Sequence, residues 1–401
     1  MTVPHAVAVG SATRPAGVAP RPAPPGAAPP PGRALRAGAE RTRRTRLRNG
    51  SVLAAAAALG VLLTLLHDAL PDRFAYDESK IQRIAQGYAA FPEDKAFQTT
   101  GDLYRLLGLA DAPLLAGLLG MAGLGLCTAL ALRGPAHPGA SALRTVPLVL
   151  AAGTLVLGGL YLGQYSKEAL LLPVVALALV RGRRVEPAFL VAVLAYGAFL
   201  RTYWLLVLVL YVVLRLALAR RAGWWALGGT AVVAYVALAV GFVAWDGLAL
   251  DHFRTAVNAV RADGVDAATM IRPLLPGDGV AVGVVNCLAV LVSFAVPVPL
   301  LALAAPQHLA AAAFQALLWW SVLAAAHRRI VPARHGSPGR DGPHDPAAAR
   351  ALALLLAFVL VQALFEPDYG SALRHLTPLL PLALLVVRTP SSRATGPAWA
   401  P

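Results

Sequence analysis

From residue 51 to residue 388 the chain keeps returning to apolar runs, several of them about twenty residues long, and polar clusters separate them. A run of that length spans a hydrocarbon core as a helix. Inside lipid a backbone must satisfy its own N–H and C=O groups, so these runs are expected as helices and the fold class as all-α, a polytopic helical membrane protein. Composition agrees: 58% of the 401 residues are hydrophobic, 14% are charged, and the mean hydropathy is +0.63. Those values exclude an ordinary soluble domain.

The net charge of +15 raises the question of nucleic acid. Its placement answers it. Nine arginines fall in the first 48 residues and most others flank apolar runs, which is the pattern of cytoplasmic anchoring rather than of a nucleic-acid surface. Cys127 and Cys287 both sit in apolar runs, so neither a disulfide framework nor a metal cluster is supported.

Residues 1–50, rich in Pro, Ala, Gly and Arg, read as a disordered basic cytoplasmic tail, 51–390 as the membrane domain, and 391–401 as a short cytoplasmic tail. A signal peptide is the rival reading of the start, but its charged region is too long and no small-residue cleavage site follows the apolar run. Alternating loop charge places spans at 51–70, 112–132, 146–163, 169–180, two between 187 and 219, and then 224–245, 304–326, 351–365 and 376–388. That makes about ten. A re-entrant or surface helix at 281–296 keeps the parity, since Pro297 and Pro299 end it. Both large polar loops, 71–111 and 246–279, then lie on the outer face, and each carries an amphipathic helix expected at the interface. In the first, Ile81, Ile84, Ala85 and Tyr88 share a face; in the second, Leu250, Phe253, Val257 and Val260 do, leaving Arg254, Asn258 and Arg261 towards solvent or a ligand. Tryptophans 204, 224, 225, 245, 319 and 320 mark span ends as an aromatic belt, and His67 and Asp68 end a span at the interface.

Three polar knots fall on that same outer face: Gln164-Tyr165-Ser166-Lys167-Glu168, Arg201-Thr202-Tyr203-Trp204, and Glu366-Pro367-Asp368-Tyr369-Gly370-Ser371 with Arg374-His375. Charges at this density must sit at a membrane face or in a wet cavity, because each costs at least about 2.5–3.5 kcal/mol at mid-membrane. Lys167, Arg201, Arg254, Arg261, Arg272 and Arg374 suit an anionic ligand, with arginine gripping phosphate oxygens through its fork. Transfer of a glycan from a membrane-bound diphosphate needs cations for the leaving group and a base for the acceptor hydroxyl. Glu168, Glu366, Asp368 and His375 are the candidate bases.

In arrangement these knots, from about residue 160 to 388, resemble the membrane polymerases of bacterial surface polysaccharides, the O-antigen and capsule (Wzy-type) group. The resemblance implies a bacterial inner-membrane enzyme with both termini cytoplasmic. It would move a growing glycan from one polyprenyl diphosphate onto the next lipid-linked repeat unit, using neither a nucleotide sugar, a cofactor nor a metal. Its partners would be polyprenyl-diphosphate-linked oligosaccharides, membrane lipids and other polysaccharide-assembly proteins, with no nucleic acid. On this reading Lys167, Arg201 and Arg374 hold diphosphate, and Glu168, Asp368 or His375 is the base or orients it. Arg254, Arg261 and Arg272 recruit the second lipid-linked substrate. The chain departs from the group in dividing its outer polar mass between two loops. Two alternatives remain: a polyprenyl-phosphate-dependent multi-span glycosyltransferase with Asp77 or Glu78 as its base, with or without a divalent metal, and a transporter or flippase for lipid-linked sugars, for which no internal repeat is evident.

Overall fold

A computed structural model of the chain describes residues 31–71, 74, 77–89, 95–133, 143–220, 223–262, 268–330 and 345–388. The chain divides into two units, 1–45 and 46–401. Of the first, residues 31–45 are described, and they are helical. Residues 31–50 of the expected tail are helical here: seven arginines and three alanines, good helix formers, lie in the segment, and Glu40 pairs with Arg44 one turn on at 2.5 Å. Residues 1–30 and 391–401 of the two expected tails lie outside the described residues.

The described residues are all-helical, with one isolated backbone bridge between Met270 and Asp368 in place of any strand. Helix α1 is Pro31–Leu65, α2 Glu78–Ala85, α3 Lys95–Leu106, α4 Pro113–Leu132, and α5 Thr145–Tyr161. Then come α6 Leu172–Leu179, α7 Glu186–Phe199, α8 Trp204–Ala219, α9 Trp224–Asp246, and α10 His252–Arg261. The last six are α11 Val280–Ala295, α12 Val298–Ala302, α13 Pro306–Ile330, α14 Pro346–Phe365, α15 Tyr369–Leu376, and α16 Leu380–Arg388. Six stretches among the described residues are long and apolar enough to cross a membrane: Ala39–Leu65, Pro113–Leu132, Trp224–Asp246, Pro306–Arg328, Pro346–Phe365 and Tyr369–Arg388. The chain is thus a helical membrane protein by length and composition of its helices.

Helix α14 is the axis of the second unit. It is apolar around its whole circumference and 83% of its apolar window is buried, which is what an all-round apolar helix needs. Helices α8, α16, α11 and α6 pack around it. Helix α9 is the opposite case: 17% of its window is buried, and Trp225 and Trp245 are fully open at its two ends. Trp204 and Trp319 depart from the belt expectation, being buried; Trp204 meets Tyr196 and Phe358 inside the bundle.

Helix α2 differs from the expected interfacial form, whereas α10 leaves its apolar face exposed. In α2, Ile81, Ile84 and Ala85 are buried, Ile81 and Ala85 in one cluster with Tyr104 of α3 and Tyr165, so the helix is part of a packed cap; Tyr88, expected on the same face, is exposed. In α10 part of the polar face meets the bundle. Arg254 and Asn258 point inward while Phe253, Val257 and Val260 are exposed. The inward face wins because it meets unsatisfied backbone: Arg254 donates to Ala363 O at 2.7 Å and Asn258 to Ile271 O at 3.0 Å. Helix α11 touches the same end of the bundle twice: Asn286, well inside the helix, donates to Asp251 at 2.8 Å, and Phe294, next to its last residue, meets Tyr369 edge-on.

Close helix contact at α1 and α5 depends on glycine. A Cβ on Gly159 would lie 2.1 Å from the Gly60 carbonyl oxygen, whereas one on Gly125 would meet open space. Gly159→Ala is therefore expected to lower stability by about 1–3 kcal/mol, as overpacking does, and Gly125→Ala to leave it unchanged or slightly raised, read by thermal unfolding of the detergent-solubilised protein. Equal behaviour of the two variants would mean that the α1–α5 contact is not formed.

Candidate functional site

Each knot is the turn at which an apolar helix ends. The first joins α5 to α6 and is tied down from the first loop: Tyr104 OH donates to Ser166 O at 3.0 Å, Tyr165 OH to the carbonyls of Leu109 and Ala110, and the Gln164 amide to Phe74 O. The second joins α7 to α8. The third follows α14, where Pro367 blocks helix continuation and Asp368 restarts it. Asp368 caps α15, its Oδ1 accepting from Ser371 N at 2.7 Å and its Oδ2 from Ser371 Oγ at 2.8 Å. That cap aims Arg374 and His375 at the other two turns.

The three turns meet at Glu168, which is 3% exposed. Its Oε1 pairs with Arg201 and lies 3.2 Å from His375 Nε2. Its Oε2 accepts from Ser166 Oγ at 2.7 Å and from Arg374 Nη2 at 3.4 Å. His375 Nδ1 pairs with Glu366, and its Nε2 is 3.3 Å from Arg201 Nη2. A seventh group comes from the first loop. Asp77 Oδ2 lies 2.9 Å from Arg374 Nη2 and 3.2 Å from Lys167 Nζ, and Lys167 in turn sits 3.3 Å from the centre of the Phe97 ring. Two buried polar atoms in this network have no partner, Arg374 Nε and Glu366 Oε2.

Burial alone would push the Glu168 carboxyl up, but Arg374, then Arg201, and the bond to His375 outweigh it and hold it well below the ordinary value. Glu168 is therefore a permanent anion that fixes cations, and a weak base. Asp77 behaves similarly: burial raises it, while Arg374 and Lys167 pull it below its ordinary value. Burial, reinforced by Arg201, lowers Lys167 to about 8, against the pull of Asp77 and Glu168.

Of the residues read from the sequence, Lys167, Glu168, Arg201, Arg374 and His375 come together. Asp368, Arg254, Arg261 and Arg272 do not join them. Asp368 is occupied by the cap and by Arg261, 3.1 Å away. Arg254 is fully buried between Ala363 O and Asp251, which corrects the reading that turned it towards solvent or a ligand; Arg272 is exposed. Asp77 and Glu366 enter as members the sequence marked only as an alternative base and one of several carboxylates. Glu78, the other half of the acidic pair, turns away to His67 at 3.0 Å. Among the described residues no group of three or more His, Cys, Asp or Glu side chains is arranged to hold a metal ion.

Beside the network lies an apolar cavity of ≈ 300 Å³, lined among others by Tyr104, Gly120, Leu126, Ala169 and Pro173. Two of its lining residues are neighbours of the network: Ala169 follows Glu168 in the chain, and Tyr104 holds Ser166. The charged side chains themselves do not line it. No protein-family model, curated protein or solved structure matches the chain.

Lys167 provides a test of the buried network. Its folded value of about 8 lies below the 10.5 of a free lysine, so between those values the unfolded chain binds the extra proton and stability rises with pH. The unfolding midpoint of the detergent-solubilised protein is expected to gain a rising component from pH 8 to about 9.5, which Lys167→Met removes. Identical pH profiles would place Lys167 in solvent.

Proposed function

We propose that the chain is a polytopic protein of the bacterial inner membrane, with about ten spans and both termini cytoplasmic, that polymerises cell-surface polysaccharide from polyprenyl-diphosphate-linked repeat units. The observation carrying this reading is the Glu168 network itself: three cations from three turns beside an apolar slot. A lipid-linked diphosphate has the matching two halves. The span count draws support from the opposite bundle end, where Arg350 pairs with Glu186, Arg181 with Asp345, and Arg388 donates to Ala131 O. Basic groups at that end support a cytoplasmic placement by the charge rule, with the network on the outer side. The contacts of α11 with Asp251 and Tyr369 support the re-entrant reading of that helix.

In this mechanism Arg374, Lys167 and Arg201 stabilise the diphosphate as the sugar C1–O bond breaks, and the acceptor hydroxyl forms the new bond at C1. The hydroxyl proton passes to the Glu366 carboxylate of the His375–Glu366 pair, whose Oε2 has no partner, because both ring nitrogens of His375 face carboxylates. Glu168 positions His375 and the arginines. Asp368 acts at one remove, by capping the helix that bears them.

The position of Asp77 favours a second reading, a multi-span glycosyltransferase in which Asp77 is the base. Only that reading requires Asp77 for chemistry, and Asp77→Asn abolishes transfer under it.

The test is lipid-linked glycan profiling in cells carrying Arg374→Ala or Arg374→Lys, with abundance in the membrane checked alongside. Single repeat units are expected to accumulate and long chains to vanish while the protein stays in the membrane. Unchanged long chains would remove Arg374 from the reaction.

A further inference from the structure

Asp77 is the one acid of the network that does not come from a knot. It sits just before α2, on the loop cap, and its single oxygen Oδ2 is shared by an ammonium and a guanidinium, at 3.2 and 2.9 Å. That is how a phosphate oxygen is held. The carboxylate leaves donor capacity unused: Arg374 Nε is buried with no partner, and Lys167 has the Phe97 ring beside its ammonium. An anion with more oxygens satisfies both cations better than a carboxylate does. Glu168, in contrast, is bound on both oxygens by four groups from all three knots, so it is the fixed counter-ion and Asp77 the exchangeable one.

Resting on the diphosphate reading above, we propose that the Asp77 carboxylate occupies the seat of a substrate phosphate between Lys167 and Arg374, and that phosphate binds by displacing it. The site is closed by an internal competitor. The apparent affinity for a phosphate group is then the intrinsic affinity reduced by the fraction of molecules in which Asp77 has left. The advantage is physical: two buried cations are never left unpaired between substrates, and the loop bearing Asp77 is released only when an anion arrives.

The experiment measures binding of inorganic diphosphate and of farnesyl diphosphate to the full chain in lipid nanodiscs, for wild type, Asp77→Asn and Asp77→Glu. Asp77→Asn is expected to bind at least about fivefold tighter, the lower edge of typical coupling between competing ligands. Asp77→Glu keeps the competing charge and is expected to stay near wild type. A gain with both probes supports a seat for phosphate as such; a gain confined to farnesyl diphosphate supports the same competition at a lipid-linked headgroup. Because removing Asp77 exposes two buried cations, thermal unfolding is followed in parallel, and diphosphate is expected to stabilise Asp77→Asn more than wild type. Equal or weaker binding by a folded Asp77→Asn overturns the competition while leaving the diphosphate reading in place, provided that Arg374→Ala and Lys167→Ala weaken binding. If those two variants bind as wild type does, the cation seat fails, and the diphosphate reading with it.

Discussion

A carboxylate buried at the end of an apolar bundle has to be neutralised, and the arrangement of this molecule follows from how Glu168 meets that demand. Removing one partner from a buried ion pair costs about 3–5 kcal/mol, because the survivor is left charged and dry. Glu168 takes its partners from turns far apart in the chain, Arg201 after α7 and Arg374 and His375 on α15. Three helix ends are thereby fixed at one point. The geometry that holds the fold also concentrates cations, so structural and chemical roles cannot be separated at this residue.

What lets the turns converge is packing below them. Helix α14, buried on all sides, delivers Glu366 to the centre of the bundle end rather than to its rim. The opposite end is closed in the same manner: Arg350, also fully buried, pairs with Glu186 at 2.9 Å and donates to the carbonyls that finish α6, such as Val180 O at 2.9 Å. Both ends of the central helix thus terminate in charge. One is sealed largely by backbone carbonyls and the other by side chains from three turns and the first loop.

The longest spans were legible because hydropathy decides them locally. Those expected at 112–132 and 224–245 appear as Pro113–Leu132 and Trp224–Asp246. The three knots were legible too, since charges flanked by apolar runs have few places to go. Their meeting was not, because pairing between distant turns leaves no periodic signal. Asp77 looked like half of an ordinary acidic pair; only the packing of α2 against α3 and Tyr165 carries it to Arg374. In α10 the period was read correctly, and Phe253, Val257 and Val260 stay exposed, but Arg254 turns inward because the backbone of α14 offers it a better partner than solvent does. Asp368 shows a third limit: a carboxylate in a turn reads equally as a base or as a helix cap, and only the bond to Ser371 N distinguishes them.

The central claim is that the three turns form one energetically coupled network around Glu168. A double-mutant cycle of Glu168→Gln and Arg201→Gln, read by reversible unfolding in mixed micelles, measures that coupling directly. The account expects each single change to destabilise and the second to cost little once the first is made, a coupling of at least about 1 kcal/mol. Effects that add to within about 0.5 kcal/mol would show that the two residues do not share a network, and would contradict it.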